Sequence, residues 1–214
     1  MSARLERVSG IYPLACDDPR WRHGPRGVVD AALAGGAKLI QLRLKHTTDG
    51  DALALAEWAV ARAHEAGALL FVNDRYDLAD LAGADGVHLG DRDLPPERIP
   101  EDVRARLLVG LSSHTLEQVR ASAARPIDYL AFGPVFGTSS KQSEYEARGR
   151  DALARVVELS DPLPVVAIGG IDRDRIAAVG ALGAGAAVIS AVAADDDMEE
   201  ATRDLARRLR EGAP

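Results

Sequence analysis

The sequence predicts an α/β fold, a (β/α)8 TIM barrel occupying residues 1–214 as a single domain. Three observations carry this. Short apolar runs alternate with amphipathic helical segments along the chain, the pattern of a parallel sheet covered by helices. Helical segments repeatedly end in Gly-Ala, at Gly36-Ala37, Gly67-Ala68, Gly83-Ala84 and Gly183-Ala184, where a left-handed glycine closes one helix before the next strand. Eight such units fit a length of 214 residues, since closed barrels of this kind begin at roughly 200. An open doubly wound sheet is disfavoured, because no GxGxxG follows the first apolar run.

Taken in order, residues 11–15 read as the first strand and 28–34 as an apolar helix stopping at Gly35 and Gly36. Residues 38–45 form the second strand, followed by a helix over 51–66 with Leu53, Ala56, Val60 and Ala63 on one face. The third strand is 69–72, with a helix over 76–82, and the fourth is 86–89. Pro95 and Pro96 open a helix that leads to a fifth strand over 107–111. Thr115 caps a helix turning Leu116, Val119 and Ala123 inward, and the sixth strand is 128–132. A polar loop over 133–149 precedes a helix over 151–159, and strand seven is 164–168. Asp172 caps a helix over 173–181, and strand eight is 187–189. Acidic residues 195–197 suit the dipole at the start of a last helix whose inner face is Met198, Ala201, Leu205 and Leu209.

Composition excludes several function classes. A hydrophobic content of 47% supplies a core, and a net charge of -7 argues against a nucleic-acid or anionic-membrane partner, which a basic patch would draw. Cys16 is the only cysteine, so an intramolecular disulfide and multi-cysteine zinc sites are excluded. No HExxH or GxSxG occurs. Residues 1–8 lack a signal-peptide core and no apolar run reaches spanning length, so a cytoplasmic location is expected. The oligomeric state stays open, a homo-oligomer included.

The chain is organised around FVNDRYDLADLAGADGVHLGDRDL, residues 71–94, which sets Asp74 and Asp93 just past two short apolar runs. On adjacent parallel strands both carboxylates emerge at one end of the sheet, where they suit Mg²⁺ completed by substrate phosphate and water. The alternative is that each caps the helix that follows it. A second signal is LIQLRLK, residues 39–45: strands buried on both faces should be continuously apolar, yet Gln41, Arg43 and Lys45 share one face and point into the barrel toward its C-terminal mouth. Two cations there either pair with the acids as a structural network or meet a diphosphate. Strand five ends in Gly110-Leu111-Ser112-Ser113-His114, and strand six runs into FGPVFGTSSK, with Thr138, Ser140 and Lys141 on a loop suited to an oxyanion. Strands seven and eight end in Gly169-Gly170 and Ser190, where such barrels commonly bind phosphate through backbone N–H groups.

The ordered set QLRLK, VNDR with ADGVHLGDRDL, GLSSHT, DYLAFGPVFGTSSK, VVAIGGI and AVISA resembles thiamine phosphate synthases over nearly the whole chain. The resemblance implies a transferase that joins 4-amino-2-methyl-5-hydroxymethylpyrimidine diphosphate to 4-methyl-5-(2-phosphoethyl)thiazole, giving thiamine phosphate and pyrophosphate by a dissociative substitution. By position it implies that Gln41, Arg43, Lys45, Asn73, Ser112 and Lys141 contact the pyrimidine diphosphate, with Arg43, Lys45, Ser112 and Lys141 catalytic. It gives Mg²⁺ to Asp74 and Asp93, and the thiazole phosphate to Thr138, Ser140, Gly170, Ile189 and Ser190. The chain departs from the family's usual pattern before Asp17, at Arg92, Gly137 and Ser140, and over residues 142–149; none of these removes an implied metal or diphosphate ligand. Two alternatives remain: the thiazole tautomerase of the same fold, moving a proton with His114, and a non-catalytic phosphate-ligand binding protein. Neither needs the acid and cation set at Asn73, Asp74, Asp93, Arg43 and Lys45.

Overall fold

The computed structural model describes residues 7–137 and 145–213. Eight parallel strands close on themselves in sequence order: β1 (Ile11–Cys16), β2 (Leu39–Arg43), β3 (Leu69–Asn73), β4 (Gly86–Leu89), β5 (Leu108–Ser113), β6 (Tyr129–Phe132), β7 (Val165–Ile168) and β8 (Gly185–Val188). The main helices are α1 (Gly24–Ala34), α2 (Asp49–Glu65), α3 (Tyr76–Leu81), α4 (Glu101–Arg104), α5 (Leu116–Ser122), α6 (Gly149–Ser160), α7 (Ile176–Gly180), α8 (Ser190–Ala193) and α9 (Met198–Gly212). Among the described residues no helix is long and apolar enough to cross a membrane.

The periodicities explain the layers. Strand residues facing outward pack on the inner faces of the helices in one large apolar cluster that includes Ile40, Leu70, Val87, Val109 and Leu205. Residues of the other parity fill the barrel itself, where Tyr12, Phe71 and Tyr129 meet edge to face with ring centroids 5.7 to 6.3 Å apart. Each such pair adds about 0.5–1.5 kcal/mol beyond its burial. Room for these rings comes from two strand glycines. A Cβ on Gly86 would sit 2.4 Å from the Phe71 ring, and one on Gly110 would sit 2.1 Å from Tyr129 Cζ. The aromatic trio plugs the barrel, so a ligand meets it from the C-terminal mouth.

The predicted helix-ending glycines behave as expected: Gly36, Gly67, Gly83 and Gly183 all have positive φ. Several boundaries differ. Strand β2 stops at Arg43, so Lys45 stands in the loop beyond the ladder and not on the strand. Strand β5 runs on through Ser113, placing Ser112 beside Ala131 of β6. Pro95 opens only a short 3-10 turn, and the helix that follows starts after Pro100. Ser122, not Ala123, is the buried residue ending α5. Asp172 accepts the backbone N–H groups of Asp174 and Arg175 in a tight turn, which delays α7 to Ile176. Ile189 lies outside β8 and leads into the unpredicted short helix α8.

Candidate active site

Two adjoining recesses open at the mouth and share His88 and Ser112. One is polar and gathers Arg43, Lys45, Asn73, Asp74, Asp93 and Ser112 from the ends of β2 to β5. The other is mostly apolar and is walled by Leu14, Ala131 and Val166, with Gln41 at its floor and Gly170, Ile189 and Ser190 at its rim. The implied residues that are described therefore converge on one mouth. Thr138, Ser140 and Lys141 lie outside the described residues.

In the polar recess, Lys45 forms an ion pair with Asp74. Its loop is shaped by Asp17, whose carboxylate accepts the backbone N–H groups of Lys45, His46 and Thr47 at 2.7 to 3.0 Å and the Thr47 hydroxyl at 2.9 Å. Burial works against the Asp17 charge, but these hydrogen bonds outweigh it and hold its carboxyl below its usual value. Asp74 itself has φ 66°, a left-handed backbone that Asp tolerates better than most residues. Its carboxylate makes no cap for α3, whose N-cap is Arg75 with no side-chain hydrogen bond.

Asp93 likewise caps no helix; its Oδ2 accepts the Gly90 N–H at 2.6 Å. Burial first, and then the neighbouring Asp74 carboxylate, push the Asp93 carboxyl above its usual value. The capping alternative is thus set aside for both acids. The structural-network alternative holds for Lys45 and fails for Arg43: Arg43 Nε is buried without a hydrogen-bond partner, and among the described residues Arg43 makes no ion pair.

The apolar recess ends at the glycine pair after β7. Gly169 and Gly170 have φ 101° and 60°, and a Cβ on Gly170 would meet Gly137 O at 2.3 Å, so both the turn and the close packing of the strand-six loop require glycine. That loop is pinned there by Val135 N–H to Ile168 O and Phe136 N–H to Gly169 O. Arg175 braces the turn, donating to Gly170 O at 2.8 Å with its guanidinium 5.2 Å from the Phe136 ring centroid.

Between the recesses runs a polar line that sequence reasoning missed: Gln41, Tyr12, Tyr129, His88 and Ser112. The signal was present. GVHL breaks an apolar run with one polar residue, as LIQLRLK does, and His88 sits beside Asn73 in the ladder. Gln41 Oε1, at the other end of the line, is buried without a partner.

Known proteins resemble this chain in sequence and in fold. The family model described as thiamine monophosphate synthase matches residues 11–192. A thiamine-phosphate synthase of Anaeromyxobacter dehalogenans is 43% identical over 201 residues, covering 94% of this chain and 87% of the relative. One from Myxococcus xanthus is 46% identical over 185 residues, covering 84% and 83%. A solved structure of thiamine phosphate pyrophosphorylase from Pyrococcus furiosus superposes with a TM-score of 0.87 at 34% identity, over 98% of this chain and 100% of that one.

Proposed function

The chain belongs to the thiamine monophosphate synthase family, and on that premise we propose which ligands its mouth takes and how they react. The activity is that of a thiamine-phosphate synthase, a transferase acting on small molecules. The tautomerase and sensor alternatives are not favoured, since the relatives at this likeness are named as synthases.

The polar recess takes the diphosphate of the hydroxymethylpyrimidine, and the apolar recess takes the thiazole, its phosphate against Gly170 and Ser190. One observation carries this assignment: the buried Arg43 Nε has no partner at a mouth where Lys45, the cation in the loop beyond β2, is already paired. A buried N–H on a charged group is expected to be paired, and Arg43 is otherwise only half-buried at the mouth, so an anionic ligand is its natural counterpart.

The donor set fits Mg²⁺. Two carboxylates lie together, and among the described residues no group of three or more His, Cys, Asp or Glu is available; Mg²⁺ characteristically uses one or two carboxylates and completes its shell with substrate phosphate and water. Asp74 and Asp93 would hold it, and when bound it supplies charge to neutralise the diphosphate.

The residues' work is then electrostatic. The bond between the pyrimidine methylene and the diphosphate oxygen breaks first, its electron pair leaving with pyrophosphate. Arg43 and Lys45 stabilise that departing charge, and Ser112 donates to it. The thiazole nitrogen then contributes its lone pair to the methylene carbon. No side-chain nucleophile is required, and the apolar walls hold the acceptor in line and keep water from the cationic carbon.

Incubation of both substrates with Mg²⁺ tests this. Equal amounts of thiamine phosphate and pyrophosphate are expected; no product under conditions where a known synthase turns over refutes the assignment.

A further inference from the structure

The buried polar line has a direction. Gln41 Nε2 donates to Tyr12 Oη at 3.0 Å, and Tyr12 Oη lies 3.2 Å from Tyr129 Oη. Tyr129 Oη lies 2.8 Å from His88 Nδ1, and His88 Nε2 lies 2.9 Å from Ser112 Oγ. Burial pushes both phenols above their ordinary range, so each keeps its single proton.

With every proton in the line given an acceptor within it, donor counting yields one order. Tyr12 oxygen receives the Gln41 N–H, so the Tyr12 proton serves Tyr129. Tyr129 in turn gives its proton to His88 Nδ1. His88 therefore carries its own proton on Nε2 and donates it to Ser112 Oγ. The Ser112 hydroxyl proton is left for the polar recess, which Ser112 shares with Arg43 and Lys45.

We propose that Tyr129 is a positioning residue: it fixes the Nε2–H tautomer of His88 and so keeps Ser112 a hydrogen-bond donor toward the departing diphosphate. The identity of that acceptor rests on the function assigned above; the tautomer does not. The opposite polarity has a definite consequence. Were the Gln41 amide turned over, every proton in the line would reverse, Ser112 would donate to His88, and only lone pairs would face an anion. Tyr129 is suited to this control because it is fully buried, stacked on the His88 ring at 5.5 Å and 27°, and set in place by Gly110.

Nitrogen NMR of the full-length protein labelled at its histidine ring nitrogens reads the tautomer without substrate, the His88 signals being identified by their loss in His88→Gln. The expected result is a protonated Nε2 and an unprotonated Nδ1 at neutral pH, with mixed tautomers in Tyr129→Phe, which keeps the ring. A proton on Nδ1, or on both nitrogens, in the wild type overturns the proposal. In kinetics, Ser112→Ala should lower kcat about 100-fold and Tyr129→Phe about tenfold, with KM for both substrates little changed. If Tyr129 acts through Ser112, the double variant is no slower than Ser112→Ala alone. Multiplied losses, which a purely structural role would give, overturn it. A wild-type protein without turnover sinks the assigned function, while the NMR still decides the tautomer.

Discussion

Lys45 reaches its partner Asp74 from a loop beyond the end of β2, and Asp74 receives it from a left-handed backbone position at φ 66°. Such a conformation costs a non-glycine residue of order 1–3 kcal/mol and recurs at functional sites. Asp74, Asp93 and Lys45 together form a site of two neighbouring carboxyl groups and one ammonium. Lys45→Met keeps the aliphatic stem and removes the positive charge. Turnover should fall about 100-fold. The two bare carboxylates should then bind Mg²⁺ more tightly in the absence of substrate, giving a larger rise in Tm on adding Mg²⁺ than the wild type shows. An unchanged response to Mg²⁺ would mean that the acids do not form the cation site.

A substitution at Asp93 tests the proposed metal-holding role apart from stability. Burial and Asp74 raise its carboxyl above the usual value. A raised acid binds its proton more tightly folded than unfolded, so its contribution is present below the unfolded value, near 4. It is lost as pH climbs through the folded value. At neutral pH without metal, the ionised group is therefore a liability to the fold. Asp93→Asn keeps an acceptor for the Gly90 N–H and removes the charge. Its metal-free Tm at neutral pH should equal or exceed that of the wild type, while turnover falls by about 100-fold or more. A markedly lower Tm would show that the carboxylate serves the fold.

The barrel was legible because it follows from periodicity: alternating apolar runs and helix-ending glycines are local signals, and β4 starts and ends where the pattern says. The positions of Asp74 and Arg43 were legible because each stands at a strand end, and that of Asp93 because it follows the apolar run of β4 by four residues. Lys45 was misplaced because strand pairing, not residue pattern, ends β2 at Arg43. The line from Tyr12 to His88 stayed hidden for a related reason. Tyrosines at positions 12 and 129 look like ordinary core, and only closure of the barrel brings residues 117 positions apart into hydrogen-bonding contact. Asp17 was equally opaque, since its partners are, the Thr47 hydroxyl apart, backbone N–H groups, which leave no trace in side-chain sequence.

Asp17→Ala tests that hidden support. The substitution strips the acceptor from three backbone N–H groups and a hydroxyl in the loop that carries Lys45. Loss of several charge-assisted bonds at a largely accessible loop should cost about 2 kcal/mol. Because the folded Asp17 carboxyl is lowered, its contribution is present above the unfolded value, near 4, and disappears as pH falls through the folded one. Denaturant melts should show the wild-type advantage at pH 7 shrinking toward zero in strong acid. An advantage independent of pH would mean that lost packing, not the charged acceptor, is responsible.

Arg175 offers a way to disturb one recess and not the other. Its guanidinium donates to Gly170 O at 2.8 Å and lies 5.2 Å from the Phe136 ring centroid, so it ties the glycine turn to the strand-six loop. It reaches neither Asp74 nor Asp93; its described ion pair is with Asp172. A turn whose N–H groups hold a phosphate must keep its peptide planes in place, and a bond to Gly170 O fixes one of them. Arg175→Ala should raise KM for the thiazole phosphate about tenfold and leave KM for the pyrimidine diphosphate unchanged. Arg175→Lys should recover part of the loss, since an ammonium can still donate to the carbonyl but lacks the flat surface that stacks on Phe136. Equal increases in both KM values would show that the two recesses do not divide the substrates as assigned.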